Sequence, residues 1–292
     1  MSAPLALRHR AEEEASPLPD LLARADKLAG TVLLGDHGRR RAGIGDDFWQ
    51  YRAMGPGDSY RSIDWRRSAR GDANFVKDRE WKIAQSVLMW VDQAASMRFT
   101  SDDRRLPRKA DRARVVALAA TILLIRGGER VGLTGWTLPP RGGNPQILRL
   151  AEAFSTDTPD EYSAPEARGM LPHARALFVS DFLGDIDPIE AALTKAADRG
   201  VRGVLLQVLD PAEEAFPYEG RTIFQSVGGG MAHETLKASE LRARYLDRLA
   251  ERKDRLDRLC RLTGWQYDCH HTDDSAQAAL LWVWRAMDGG KA

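Results

Sequence analysis

Cysteine is scarce: the 292 residues contain two, Cys260 and Cys269. Their spacing fits neither a disulfide framework nor a paired metal-ligand motif, so free thiols in a reducing compartment are expected. Long hydrophobic runs are absent, and none reaches the ~18 residues of a membrane-spanning helix. The start, MSAPLALRHRAEEEASPLPD, is crowded with charge and lacks the apolar centre of a secretion signal. No membrane partner is expected, and a cytoplasmic location is. Excess charge of one sign is also missing, with 43 Lys+Arg against 42 Asp+Glu. That balance excludes an overall nucleic-acid footprint and leaves only local patches. HExxH, G-x-S-x-G and P-loop patterns do not occur. Nothing in the spacing of Asp58, Asp64, His271 and Asp273 specifies a nucleophile–base pair.

What is present is concentrated in residues 43–81, GIGDDFWQYRAMGPGDSYRSIDWRRSARGDANFVKDREW. Aromatics (Trp49, Tyr51, Tyr60, Trp65, Trp81), acids and arginines are interleaved there. Asp58 is placed to cap a turn or helix over residues 59–69. On that helix Arg61, Asp64 and Arg67 fall three apart and could pair along one face. One reading is an internal network of Asp58, Arg61, Asp64, Arg67 and Arg70, with Trp65 and Trp81 packed on the sheet, since buried charges persist only when paired. The other is a recognition surface for a protein, and the two can coexist. A nucleic-acid surface of Trp65, Arg66, Arg67 and Arg70 is opposed by the interleaved acids.

The remainder alternates. Residues 19–29 carry a short helical pattern after Pro19, with Asp20 as a cap. Residues 86–91 (SVLMWV), 174–180 (ARALFVS) and 201–209 read as near-continuous apolar strands, the pattern of strands covered on both faces. Residues 130–136 and 265–270 add two more. Helical patterns occupy 110–125, 145–154, 188–199 (capped by Asp187), 234–262 and a last stretch to 286 capped by Asp274 or Ser275. The long 234–262 pattern reads as an amphipathic helix lying on the sheet. Alternation of this kind implies a mostly parallel sheet with helices on both faces. Ligands on such sheets gather at the carboxyl ends of strands, which singles out Asp92, Asp181 and Asp210.

These residues carry a resemblance. Gly57-Asp58, then Arg61-x-Ile63-Asp64-Trp65-x-x-Ser68-Ala69-Arg70, the Glu80-Trp81 pair and a strand ending Asp92-x-x-x-Ser96-Met97 resemble the bacterial "domain of unknown function" family numbered 58. So do VSDF at 179–182, VLDPAE at 208–213, and Gly264-Trp265 with His271-Thr272-Asp273. The resemblance covers residue 20 to the end. It implies a von Willebrand factor A-like (Rossmann-like) α/β fold preceded by the 43–81 signature. It also implies work beside a MoxR-type AAA+ ATPase in the assembly or maturation of other proteins, without an established reaction. Some members carry membrane segments and an N-terminal β-sandwich, and neither is expected here. The expected organisation is an arm over 1–18, a helix and signature segment over 19–84 packing on the core, and the von Willebrand A-like domain over 85–292 with an irregular insert at 211–234.

Domains of that type often hold a divalent cation at D-x-S-x-S, completed by a threonine and an aspartate from later loops. Mg²⁺ wants such hard oxygen ligands and keeps several waters. Asp92 and Ser96 match the first loop and Asp181 matches the later aspartate, but Ala94 replaces a hydroxyl. Residues 142–144, Gly-Gly-Asn, are taken as the threonine loop and contain no threonine. No cofactor is expected on that account, with Mg²⁺ the only candidate. A non-enzymatic adaptor is the expected function, and a metal-dependent hydrolase using the same carboxylates is the alternative.

Overall fold

The computed structural model describes residues 17–32, 40–43, 47–56, 58–71, 73–82, 84–166, 168–225 and 232–287. The arm expected at the start and the glycine loop at 228–230 lie outside them, apart from residues 17 and 18, which open the first helix. Two units are separable, one made of Met1–Gly35 with Gln85–Ala292, the other of Asp36–Ala84. The first helix therefore belongs with the sheet, and the expected 19–84 segment divides at residue 35.

In the larger unit, five parallel strands form one sheet: β4 (Ser86–Val91), β5 (Arg130–Leu133), β6 (Arg175–Ser180), β7 (Arg202–Leu209) and β10 (Gln266–His271). Their spatial order is β10-β7-β6-β4-β5. Beyond β5, Arg141 returns antiparallel and exchanges both main-chain hydrogen bonds with Val131, at 2.9 and 3.0 Å. A parallel sheet with helices on both faces agrees with the von Willebrand factor A-like fold expected from the sequence.

The strands read as apolar runs because alternate side chains enter two different cores. Val87, Met89, Leu177, Val179, Val204 and Leu206 face one layer. It contains α1 (Pro17–Gly30), α3 (Lys109–Arg126), α4 (Asn144–Phe154) and α8 (Ala276–Met287). Leu88, Ala176, Phe178 and Leu205 face the other, made by α5 (Asp187–Asp198) and α7 (Ala238–Thr263). Helix α3 is buried nearly all round, from Ala113 to Leu124, because it lies between the sheet and its neighbouring helices. The long α7 is amphipathic as expected and stops at Gly264, whose φ of 71° suits a residue without Cβ. The insert holds α6 (Pro211–Ala215) and a hairpin of β8 (Thr222–Gln225) with β9 (Ala232–Thr235). Asp187 is the first residue of α5 rather than its cap, its N–H taken by Asp185 Oδ1. Ser275, not Asp274, is the residue whose side chain accepts at the start of α8, from the Gln277 N–H.

The smaller unit contains a three-stranded antiparallel sheet of β1 (Arg40–Gly43), β2 (Asp47–Ala53) and β3 (Phe75–Lys82), in the order β1-β3-β2. The helix expected over 59–69 is broken in two, a 3₁₀ turn at Tyr60–Ser62 and α2 (Trp65–Ser68). Ile63 breaks it by pairing with Val76, and the Asp64 N–H donates to Phe75 O at 2.9 Å. Asp58 is consequently no helix cap. It accepts from the Gly55 N–H, while Ser59 caps the 3₁₀ turn and Asp64 caps α2.

Gly203, in β7, is a point of close approach. A Cβ there would lie 2.4 Å from Ala176 O and 2.7 Å from the Trp265 ring. Gly203→Ala is expected to destabilise the protein by about 1–3 kcal/mol through overpacking, read as a lower urea midpoint at unchanged slope. An unchanged midpoint would mean that Trp265 is not seated against the sheet.

Candidate functional site

Strand β4 has β5 on one side and β6 on the other, so the connections leaving β4 and β6 diverge at their carboxyl ends, the place where such sheets hold ligands. Asp92 follows β4, Asp181 follows β6 and Asp210 follows β7. All three are buried, at 2%, 1% and 0% exposure. Buried carboxylates demand partners, and those partners are all internal.

For Asp181 the partner is Lys109, the first residue of α3. Its ammonium is wholly buried, 2.9 Å from Asp181 Oδ2 and 2.6 Å from Glu213 Oε1. It also lies 5.7 Å from the centre of the Phe99 ring. Burial alone pulls the lysine's pKa down, but the two carboxylates outweigh it and the net shift is upward. Burial pushes the Glu213 carboxyl up, against the pull of Lys109. Glu213 is held by α6: its other oxygen accepts the Asp210 N–H at 2.8 Å, and Asp210 accepts from the N–H groups of Ala212 and Ser101. A reciprocal capping box thus aims Glu213 at the lysine. Neither Lys109 nor the Glu213 role was singled out from sequence.

Asp92 is cradled by donors. Oδ1 accepts the Ala94 N–H at 2.9 Å and the Ser163 hydroxyl at 2.6 Å, and Oδ2 accepts the Ser180 hydroxyl at 2.7 Å. Burial raises its pKa while these hydrogen bonds draw it back. Ser96 lies in the 3₁₀ turn Ala95–Arg98, its hydroxyl buried and without a hydrogen-bond partner among the described residues. Residues 142–144 do not complete this loop. Arg141 pairs beside Val131, and a Cβ on Gly142 would lie 3.6 Å from Glu129 O, at the amino end of β5. The segment that reaches the Asp92 loop is 156–163, where the Thr158 N–H donates to Gln93 O and Ser163 reaches Asp92. The Thr158 hydroxyl also has no partner among the described residues.

Does this donor set fit Mg²⁺? Two hydroxyls stand unengaged, as ligands would. Against them, Ala94 offers a methyl, both Asp92 oxygens are occupied, and an ammonium already rests on Asp181. A divalent cation would have to displace Lys109 or sit against it. The set fits a cation carried on the chain, not a free divalent one.

The signature residues gather in the smaller unit. Asp64 accepts the Arg67 N–H at 3.0 Å and the Tyr51 hydroxyl at 3.3 Å. The Arg67 guanidinium lies over the Tyr51 and Phe75 rings, at 5.5 and 5.7 Å. Trp65 is 62% exposed, which corrects the expectation that it packs on the sheet. The Trp81 side chain lies outside what is described. Tyr60, Arg61, Arg66 and Arg70 are exposed beside Trp65. Asp58 and Asp64 thus act in local turns and caps, while Trp65, Arg61 and Arg70 face water.

A family model described as "Protein of unknown function DUF58" matches residues 50–255. Uncharacterized protein Rv1480 of Mycobacterium tuberculosis and uncharacterized protein Mb1516 of Mycobacterium bovis are similar to this chain. Each is 28% identical over 227 residues, 71% of this chain and 68% of the relative. Among solved structures, similarity extends to an aerotolerance-related membrane protein from Bacteroides fragilis bearing multiple mutations to serines (15% identity, TM-score 0.43). It also extends to the conserved hypothetical protein BatB from Bacteroides thetaiotaomicron (14% identity, TM-score 0.41). Both matches cover 71% of this chain and all of the other.

Removing one partner of a buried ion cluster leaves a bare charge, so Lys109→Met is expected to destabilise by about 3–5 kcal/mol. Adding Asp181→Asn and Glu213→Gln should recover part of that loss. Chemical denaturation of the single and triple variants checks this, and a single-variant loss under about 1 kcal/mol would dissolve the cluster as a structural element.

Proposed function

The chain belongs to the DUF58 family, and from that membership we propose that it is a non-enzymatic protein-binding module acting with a MoxR-type AAA+ ATPase in the assembly or maturation of other proteins. The observation that carries a binding role is the exposed set Tyr60, Arg61, Trp65, Arg66 and Arg70. Water-facing tyrosine, tryptophan and arginine on a short ordered scaffold make up the composition of interface hot spots. The AAA+ partner follows from what the family resemblance implies.

The strand-end carboxylates support a binding role over hydrolysis. Asp92 and Asp181 are buried and engaged by Ser163, Ser180 and Lys109, so neither is placed to activate a water. Being buried, they offer no contact surface of their own, and the exposed part of the signature stretch is the surface we propose. No helix among the described residues is long and apolar enough to cross a membrane. The cytoplasm is the location we propose from the scarcity of cysteine in the sequence.

The test is capture of a purified MoxR-type ATPase by the full chain, with ATP, with ADP and without nucleotide. Trp65→Ala should weaken capture by about 30-fold, the loss of one hot spot of ~2 kcal/mol, while shifting stability by under ~0.5 kcal/mol. Failure of capture in every nucleotide state overturns the partner. Undiminished capture by the Trp65 variant overturns the surface.

Mg²⁺ provides a separate check. Saturating Mg²⁺ against EDTA is expected to leave the melting temperature unchanged, and a rise by linkage would restore the metal-site reading.

A further inference from the structure

Glu213 has a neighbour that points elsewhere. Glu214, also on α6, approaches the end of β10, where Cys269 and His271 stand two residues apart and so share one face of the strand. Strands β7 and β10 are paired, Gln207 with Cys269 and Leu209 with His271, so the helix that follows β7 is delivered beside them. A carboxylate oxygen of Glu214, the Cys269 sulfur and a His271 ring nitrogen all lie within 4.8 Å of one another. Among the described residues this is the one group of histidine, cysteine and acidic side chains so gathered.

Three details separate it from a chance cluster. First, His271 Nε2 lies 2.7 Å from Glu214 Oε2, yet it is shielded from solvent and makes no hydrogen bond in that approach. With the ring neutral, two lone pairs face each other at this distance, an arrangement that a shared proton or metal ion relieves. Second, His271 Nδ1 faces the Asp274 carboxylate at 3.6 Å. This carboxylate stands beyond hydrogen-bond length but within ion-pair reach, on the side where metal-bound histidines carry an acidic partner. Third, the place is one that a cation takes: the Lys253 ammonium pairs with Glu214 Oε1 and, unlike the wholly buried Lys109, it is partly exposed and can swing away into water. Burial raises the Cys269 pKa and Lys253 opposes that rise.

We propose that Glu214, Cys269 and His271 form a binding site for a borderline divalent metal of the Zn²⁺ or Co²⁺ class. One thiolate, one imidazole and one carboxylate suit these ions, with a fourth, open position for water. The charges close: thiolate and carboxylate neutralise the dication. Binding forms the metal–sulfur bond and releases the thiol proton to solvent. The Lys253 ammonium keeps its proton and moves off Glu214 toward water. The site shares no residue with the Asp92–Lys109–Asp181 cluster and does not depend on an ATPase partner.

The full chain, fully reduced with a non-thiol reductant, is titrated with Co²⁺ and followed by absorbance. A thiolate-to-cobalt charge-transfer band in the near ultraviolet is expected, and Zn²⁺ should abolish it by displacement. Cys269→Ser should remove the band. Cys260→Ser should leave it intact, because Cys260 is buried in the α5–α7 core, where burial raises its thiol to about 12. Asp274→Asn should weaken Zn²⁺ binding about 10- to 100-fold. Zn²⁺ should also raise the melting temperature of the unaltered protein, which needs no variant to fold. Absence of the band in the unaltered protein, or its persistence in Cys269→Ser, overturns the proposal.

Discussion

One buried ammonium sets the arrangement of the strand ends. Lys109 begins α3, Asp181 follows β6 and Glu213 rides on α6 after β7, so a single nitrogen joins three connections that the sheet alone would let diverge. A buried charge of this kind contributes little net stability against an apolar substitute and a great deal against a partial one. Its effect is therefore one of registration. Helix α3 cannot slide, nor α6 rotate, without stranding a charge in a medium that does not solvate it. The Asp210 capping box turns the same constraint into local structure, because the residue that receives the lysine also closes the first turn of α6.

Much of the fold was legible because it is repetitive. Runs such as SVLMWV and ARALFVS announce strands covered twice, and glycine at 127–128 and 264 announces helix ends. The positions of Asp92, Asp181 and Asp210 follow from strand ends alone. Lys109 was not legible. Within PRKADRAR it looks like any solvated lysine, and its burial comes from carboxylates 72 and 104 positions away. The same holds for the segment that meets the Asp92 loop. The family resemblance pointed to 142–144, but the one-residue antiparallel return sends those residues to the amino end of β5, and 156–163 arrives instead.

The signature stretch shows a different failure. Arg61, Asp64 and Arg67 have helical spacing, and a helix would have aligned them. Ile63 is drawn into a bridge with Val76, a tertiary demand that overrides local pattern. The break hands the capping role to Asp64 and leaves Trp65 facing water. The residues that identify the family thus divide into those that hold the unit's turns, such as Asp64, and those that face water, such as Trp65.

The reduced edge beyond β5 bears on solubility. An open strand edge is a template on which other chains can extend a sheet. Here the edge strand has four residues, and Pro140, which has no N–H to offer, is folded back on it so closely that a Cβ at Gly132 would lie 3.1 Å from Pro140 Cα. Arg141 then takes both main-chain bonds of Val131. The chain occupies this margin itself, which guards the sheet against growing into an aggregate from that side. Strand addition there is closed to a partner for the same reason.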